Sequence, residues 1–299
     1  MNEADFLSAL RGLPLHPGAM NLTDDTARLS EFVLTKDLLV EGVHYLSDDP
    51  PEDVAWKLMA VNLSDLAAKG AEPVGVLLGY PLGDDAWDRA FLKGLGAACA
   101  EFACPLLGGD TVRGQGARTL SLTAIGRAGG KVPLRSGALP GQALWVAGTI
   151  GDARLGLEVA RSGEGPEALL RAYRRPVPLI EAGMALGQIV SAMTDVSDGL
   201  LIDAARMAAA SELGAVIDLS CIPRSDAARE RTGSSRAARL EAATAGDDYA
   251  LLFSLPRSVT PPVEAKRVGW TETGFGLRLI DAGESVPLPA SLGWEHGRD

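Results

Sequence analysis

The sequence predicts an α+β fold built from two α/β sandwich domains. Three observations carry the prediction. Runs of strand length and composition are punctuated by amphipathic helices in similar proportion along both halves of the chain. The 299 residues exceed one average core and fall short of three. A Pro/Gly-rich segment, PLRSGALPG at 133–141, interrupts the pattern near the middle. Two domains are therefore expected, over residues 1–135 and 136–299.

Residues 1–11 read as a short helix with Phe6, Leu7 and Leu10 turned to a packing partner, and a broken stretch leads from there to Thr23-Asp24-Asp25. Residues 32–39 form a strand despite Lys36 and Asp37, and a second strand is expected through Val43, His44 and Tyr45. A helix follows over 52–69. Pro50 and Pro51 precede it, Glu52 and Asp53 suit its first turn, and Gly70 and Pro73 mark its end. Val54, Leu58 and Val61, with Met59, Leu63 and Leu66, recur at spacings of three and four, so most of its circumference is apolar. Then come a strand at 74–80, a helix at 87–102, a short strand at 105–107 entering Gly108-Gly109-Asp110, and a strand at 119–126. The second half restarts with a strand at 143–147 and a helix at 152–161. RRPVP at 174–178 is held extended by its prolines. A helix at 179–191, a strand at 193–196 and a helix at 200–212 follow, with strands at 216–219, 249–255, 266–270 and 277–280. The Arg/Ala/Ser-rich stretch 224–241 reads as an exposed helix pair or a mobile loop.

The formal charge of −11 argues against nucleic acid or an anionic membrane as partner, and aromatics at 5% supply few stacking platforms. No run approaches the roughly 20 apolar residues of a membrane span, and the start lacks a signal-peptide pattern, so a cytoplasmic protein is expected. Cys99, Cys104 and Cys221 show no CxxC spacing and suggest neither a disulfide framework nor a zinc site.

Asp65 is the anomaly of the apolar helix, because burying an unpaired carboxylate costs too much. It calls for an i,i+4 pair with Lys69 or for a metal. Asp25, Asp37, Asp65, Asp110, Asp195 and Asp198 share a setting: each sits in or beside an apolar run or at a glycine turn. Singly, each suits a cap or turn. Together they suit Mg²⁺, which takes a few carboxylates and completes its shell with water and phosphate. Gly108-Gly109-Asp110-Thr111 and Ser197-Asp198-Gly199 add backbone N–H groups beside a carboxylate, while Walker A and GxGxxG patterns are absent. No Ser sits in GxSxG, and His16, His44 and His296 are too dispersed for a triad. His44 reads equally as a core residue.

The set of motifs resembles the thiamine-monophosphate kinase family, in the superfamily of aminoimidazole ribonucleotide synthetase and selenophosphate synthetase. It comprises Asp24-Asp25, TKDLLVEGVHY (35–45), WKLMAVNLSDLAAKGAEP (56–73), LLGGDTVRG (106–114), RSGALPG (135–141), RRPVP (174–178), DVSDGLLID (195–203) and GDDYALLF (246–253). These occur in the family's order over nearly the whole chain. The resemblance implies ATP-dependent, Mg²⁺-assisted phosphoryl transfer to thiamine monophosphate. It implies Asp25, Asp37, Asp65, Asp110, Asp195 and Asp198 as metal ligands, Gly109, Asp110, Arg135 and Ser197 at ATP, and His44, Asp247 and Trp294 at the thiamine phosphate. No side chain is assigned as acid or base. A homodimer joined through a ferredoxin-like amino-terminal sheet is also implied. Against the family pattern, Thr23 replaces a glycine, Lys36 stands for a hydroxyl residue beside Asp37, Asp247 replaces a glutamate and Trp294 a tyrosine. The alternatives are another ATP-dependent synthetase of the superfamily and a non-catalytic nucleotide-binding relative.

Overall fold

The computed structural model describes residues 3–114 and 116–295 and contains two sheets. In the first half, helix α1 (Glu3–Leu10) precedes β1 (Ala27–Leu29), β2 (Phe32–Val40), α2 (Pro51–Ala68), β3 (Ala71–Leu82), α3 (Asp85–Glu101), β4 (Leu106–Arg113) and β5 (Thr119–Ala128). Its strands order as β1-β2-β5-β3-β4, with only the β3–β4 pair parallel. The second half runs β6 (Ala143–Ala147), α4 (Asp152–Ser162), α5 (Glu167–Arg174), α6 (Ile180–Gly187), β7 (Ala192–Val196), α7 (Leu200–Ala210), β8 (Gly214–Asp218), α8 (Asp226–Thr232), α9 (Arg236–Ala243), β9 (Ala250–Leu255), β10 (Lys266–Glu272), β11 (Gly276–Asp281) and β12 (Glu284–Val286). Its sheet orders as β12-β11-β8-β10-β6-β9-β7. The mixed α+β class is as expected, and the stretch 224–241 takes the helix-pair form.

Alternation along the strands gives the first sheet two unlike faces. Val33, Thr35 and Leu39 of β2, and Leu120, Leu122 and Ala124 of β5, are buried on the face that packs on α2. The opposite face presents Leu38, Leu77, Leu107 and Val112 to solvent.

Helix α2 belongs to both halves. Val54, Leu58, Met59, Val61, Leu63 and Leu66 enter the core of the first sheet, whereas Ala67 and Ala68 pack with Leu186, Met193, Leu251 and Phe253 of the second. The end of α5 and the segment after it are pinned against the residues that lead into α2 and its first turns. Tyr173 Oη donates to Asp49 Oδ2 at 2.8 Å, Arg174 Nε reaches Asp49 Oδ1 at 2.8 Å, Arg175 pairs with Asp53, and Trp56 Nε1 donates to the Pro176 carbonyl at 2.9 Å.

Some expectations fail locally. The short strand expected at 105–107 does not turn at Gly108-Gly109-Asp110 but runs through them to Arg113, because they pair with Leu77, Leu78 and Gly79 of β3. Residues 43–45 form a turn instead of a strand: the Val43 and His44 N–H groups donate to Val40 O at 3.1 and 2.9 Å, and Gly42 N–H to Tyr45 O at 2.8 Å. Local bonds satisfy the backbone, and Tyr45 reaches the core from the turn. The helix expected over 179–191 stops at Gly187, and the next residues turn into β7. Elements as short as β1 and β12 carry no readable periodicity. Among the described residues no helix is long and apolar enough to cross a membrane, and all three cysteines are free.

The end of α2 approaches α6 backbone to backbone. A Cβ on Gly183 would lie 2.0 Å from the Ala67 carbonyl oxygen. Gly183→Ala should therefore force the helices apart and cost about 1–3 kcal/mol. Thermal unfolding checks this, and an unchanged melting temperature would show that the α2–α6 contact does not constrain the fold.

Candidate active site

The polar residues of α2 organise the space between the sheets. Asp65 does not pair with Lys69 in the expected i,i+4 fashion. Its Oδ2 accepts a hydrogen bond from the Thr35 hydroxyl of β2. Lys69, fully buried, instead meets Asp24 Oδ1 at 2.5 Å and Asp25 Oδ2 at 2.8 Å. The helix end aims the long ammonium at the 24–25 segment, where two carboxylates compensate its burial. Asn62 Oδ1 accepts the Asp37 N–H at 3.0 Å, and Ser64 Oγ donates to Asp195 Oδ2 at 2.7 Å. One helix thus holds Asp37 from the first sheet and Asp195 from the second.

A cavity of about 610 Å³ opens beside these contacts. Asp37, Asp65, Asp195, Ser197, Asp198, His44, Asp247 and Trp294 all line it. Eight of the sequence-predicted site residues are therefore brought together. Among the described residues no three acidic, His or Cys side chains already converge as a finished ligand set. The carboxylates instead surround space that water and phosphate oxygens would share with a cation.

Their electrostatics suit a cation. Burial raises Asp37 to about 6, helped by the Asp25 and Asp198 charges. Burial, then the Asp25 charge, raises Asp195 to about 8. Burial with Asp37 and Asp195 pushes Asp65 well above the usual carboxylate range. Asp25 behaves oppositely: burial raises it, but the Lys69 and Arg135 charges prevail and hold it well below that range. Arg135 pairs with Asp25, while its buried Nε has no hydrogen-bond partner. An added anionic oxygen would satisfy that donor.

Gly109 and Asp110 lie elsewhere, on β4. Register places Asp110 opposite Gly79, Gly79 opposite Ser121 and Ser121 opposite Leu38, which puts Asp110 on the solvent-facing side of the first sheet. Gly109 has φ +154°, and a Cβ there would lie 1.9 Å from Leu78 O, so glycine alone permits this pairing. Lys36 shares that face and donates to Ser121 Oγ. It is thus separated by the strand from Thr35 and Asp37, and any metal charge it replaces is on the Asp110 side.

Behind the cavity wall, Lys57 of α2 was not singled out by the sequence reading, although a lysine in an apolar helix is as anomalous as Asp65. Its Nζ donates to Asp247 Oδ2 at 2.8 Å and to His44 O at 3.0 Å, and it lies 4.3 Å from the Tyr173 ring centroid. Asp247 and Tyr249 have φ of +69° and +52°, a strained stretch of backbone at the cavity wall. His44 Nδ1 accepts the Val40 N–H at 3.0 Å, so the neutral ring carries its proton on Nε2. Of the other histidines, His16 Nδ1 accepts the Gly18 N–H, and His296 lies outside the described residues. Asp203 and Arg206 were also missed. Asp203 accepts the Asp198 and Gly199 N–H groups, both at 3.2 Å, and Arg206 pairs with Asp198.

Residues 23–128 match the AIR synthase related protein N-terminal domain, and residues 140–260 the corresponding C-terminal domain. The thiamine-monophosphate kinase of Caulobacter vibrioides is 39% identical over 94% of this chain and 86% of its own length. The solved structure of AaThiL complexed with AMPPCP and TMP superposes with a TM-score of 0.85 at 29% identity, covering 99% of this chain and 97% of that one. The thiamine-monophosphate kinase from Stenotrophomonas maltophilia gives a TM-score of 0.77 at 34% identity, covering 94% and 96%.

The raised Asp195 carboxyl has a sign that can be tested. Its folded value of about 8 exceeds the ordinary 3.8, so its contribution to stability is fully present below pH 3.8 and is lost as pH rises through about 8. In chelator, the melting temperature of the wild type should fall over this interval. Asp195→Asn should melt higher at the alkaline end and show a flatter pH profile. Parallel profiles for the two proteins would remove Asp195 from the repulsive cluster.

Proposed function

We infer the reaction from kinship: the chain belongs to the AIR synthase related family and, within it, to the thiamine-monophosphate kinases. It transfers the terminal phosphoryl group of ATP to the phosphate of thiamine monophosphate, giving ADP and thiamine diphosphate. The observation that carries this reading is one cavity lined both by the carboxylates Asp37, Asp65, Asp195 and Asp198 and by His44, Asp247 and Trp294.

Two polyanions must meet in a protein of formal charge −11. Mg²⁺ held by Asp25, Asp37, Asp65, Asp195 and Asp198 would supply the charge neutralisation that phosphoryl transfer requires, and Asp110, on the other face of the sheet, would hold a cation apart from that cluster. Arg135, Ser197 and the Gly109-Asp110 backbone would bind the nucleotide. Engaging Asp25 requires Arg135 to release it, and the unpaired Nε suits that guanidinium to a phosphate. His44 would donate from Nε2 to the acceptor, and Asp247 and Trp294 would hold the rest of it. A phosphate acceptor is already anionic, so it needs no strong base, and positioning carries the catalysis. We place the domain boundary near residues 135–136 and the protein in the cytoplasm, in keeping with its free cysteines.

We also propose a homodimer joined through the open, ferredoxin-like face of the first sheet. Leu38, Leu77, Leu107 and Val112 form an apolar face there that a second copy would cover. Leu107→Glu should shift the protein to monomer in light scattering; a dimer that persists would place the interface elsewhere.

A paired assay with ATP and Mg²⁺ tests the reaction. Thiamine monophosphate should yield ADP and thiamine diphosphate, unphosphorylated thiamine should be a very poor acceptor, and Asp195→Asn or Asp198→Asn should abolish turnover. Comparable turnover of thiamine would make this an alcohol kinase, and ADP release without thiamine diphosphate would favour another synthetase of the superfamily.

A further inference from the structure

We propose that Lys57 is a positioning residue that sets acceptor affinity by holding the Asp247 carboxylate in place. The inference rests on the reading of Asp247 as an acceptor contact. Lys57 is 2% exposed, so its ammonium is shielded from the cavity and reaches a ligand only through its partners. Those partners come from three elements: the His44 carbonyl from the turn after β2, Asp247 Oδ2 from the segment before β9, and the Tyr173 ring from α5. The carboxylate of Asp247 is 37% exposed and lines the cavity.

Both Asp247 oxygens are held. Lys57 takes Oδ2, and Tyr249 Oη donates to Oδ1 at 3.0 Å. The backbone is fixed as well, with Asp247 N–H donating to Ser197 O at 2.7 Å. An aspartate is one methylene shorter than the glutamate expected from family resemblance, so small changes in its direction alter whether it reaches the acceptor. A charge-matched hydrogen bond from a buried, rigid helix fixes that direction.

Positioning and charge make opposite predictions. Thiamine carries a cationic ring, so if Asp247 acted through net charge alone, removing Lys57 would leave it uncompensated and strengthen acceptor binding. If Lys57 positions Asp247, removing it weakens binding. Lys57→Met retains the length and packing of the side chain.

The test is steady-state kinetics on Lys57→Met, Asp247→Asn and the double variant, with melting temperatures for each and Lys57→Gln as the substitute where Lys57→Met fails to fold. Lys57→Met should raise the KM for thiamine monophosphate about tenfold, with kcat and the KM for ATP changed less than about twofold. The double variant should be no worse than the more severe single one, because one residue acts through the other. A lowered KM in Lys57→Met, equal losses toward both substrates, or fully additive losses in the double variant would overturn the inference. A raised KM in Asp247→Asn with Lys57→Met unchanged would also overturn it while leaving the acceptor contact intact. An unchanged KM in Asp247→Asn would remove the contact itself, and the inference with it.

Discussion

The structure depends on α2 being buried nearly all round while carrying Lys57, Asn62, Ser64, Asp65 and Lys69. Each of these polar groups costs free energy unless a partner reaches it. The partners come from almost the full length of the chain: Asp24 and Asp25 before the first sheet, Thr35 and Asp37 on β2, Asp195 on β7 and Asp247 before β9. Satisfying one helix therefore brings the two halves into a single arrangement. The cavity forms alongside these contacts.

The same constraint divides the carboxylates by chemistry. Asp25 is compensated by Lys69 and Arg135 and stays ionised, whereas Asp37, Asp65 and Asp195 lie in buried surroundings with like charges nearby. A site of this kind stores repulsion that a bound cation relieves, which couples ligand binding to stability. Strain is concentrated in the neighbouring segment, where Asp247 and Tyr249 adopt left-handed backbone beside Val196 and Ser197. Tight hydrogen bonds to Ser197 O and Val196 O hold them there.

Much was legible from residue patterns. Periods of two and of three to four residues predicted most strands and helices, and the apolar surround made Asp65 conspicuous. The acidic set and the family motifs pointed to the chemistry. Less visible were features whose cause is distant in sequence. Lys57 reads as an ordinary helix lysine until its carboxylate partner, 190 residues away, is known. The turn at 43–45 has strand composition, and only its local hydrogen bonds distinguish it.

The sequence by itself determined the elements, the α+β class and the residue types available for holding a phosphate and its cation, because these depend on local periodicity and on side-chain chemistry. Only the tertiary structure decided which residues meet. Lys69 had a carboxylate four positions away on its own helix and took two others, since the helix end points it at Asp24 and Asp25. Asp110 and Lys36 were separated from Asp37 by which face of the sheet each occupies, and strand register decides that.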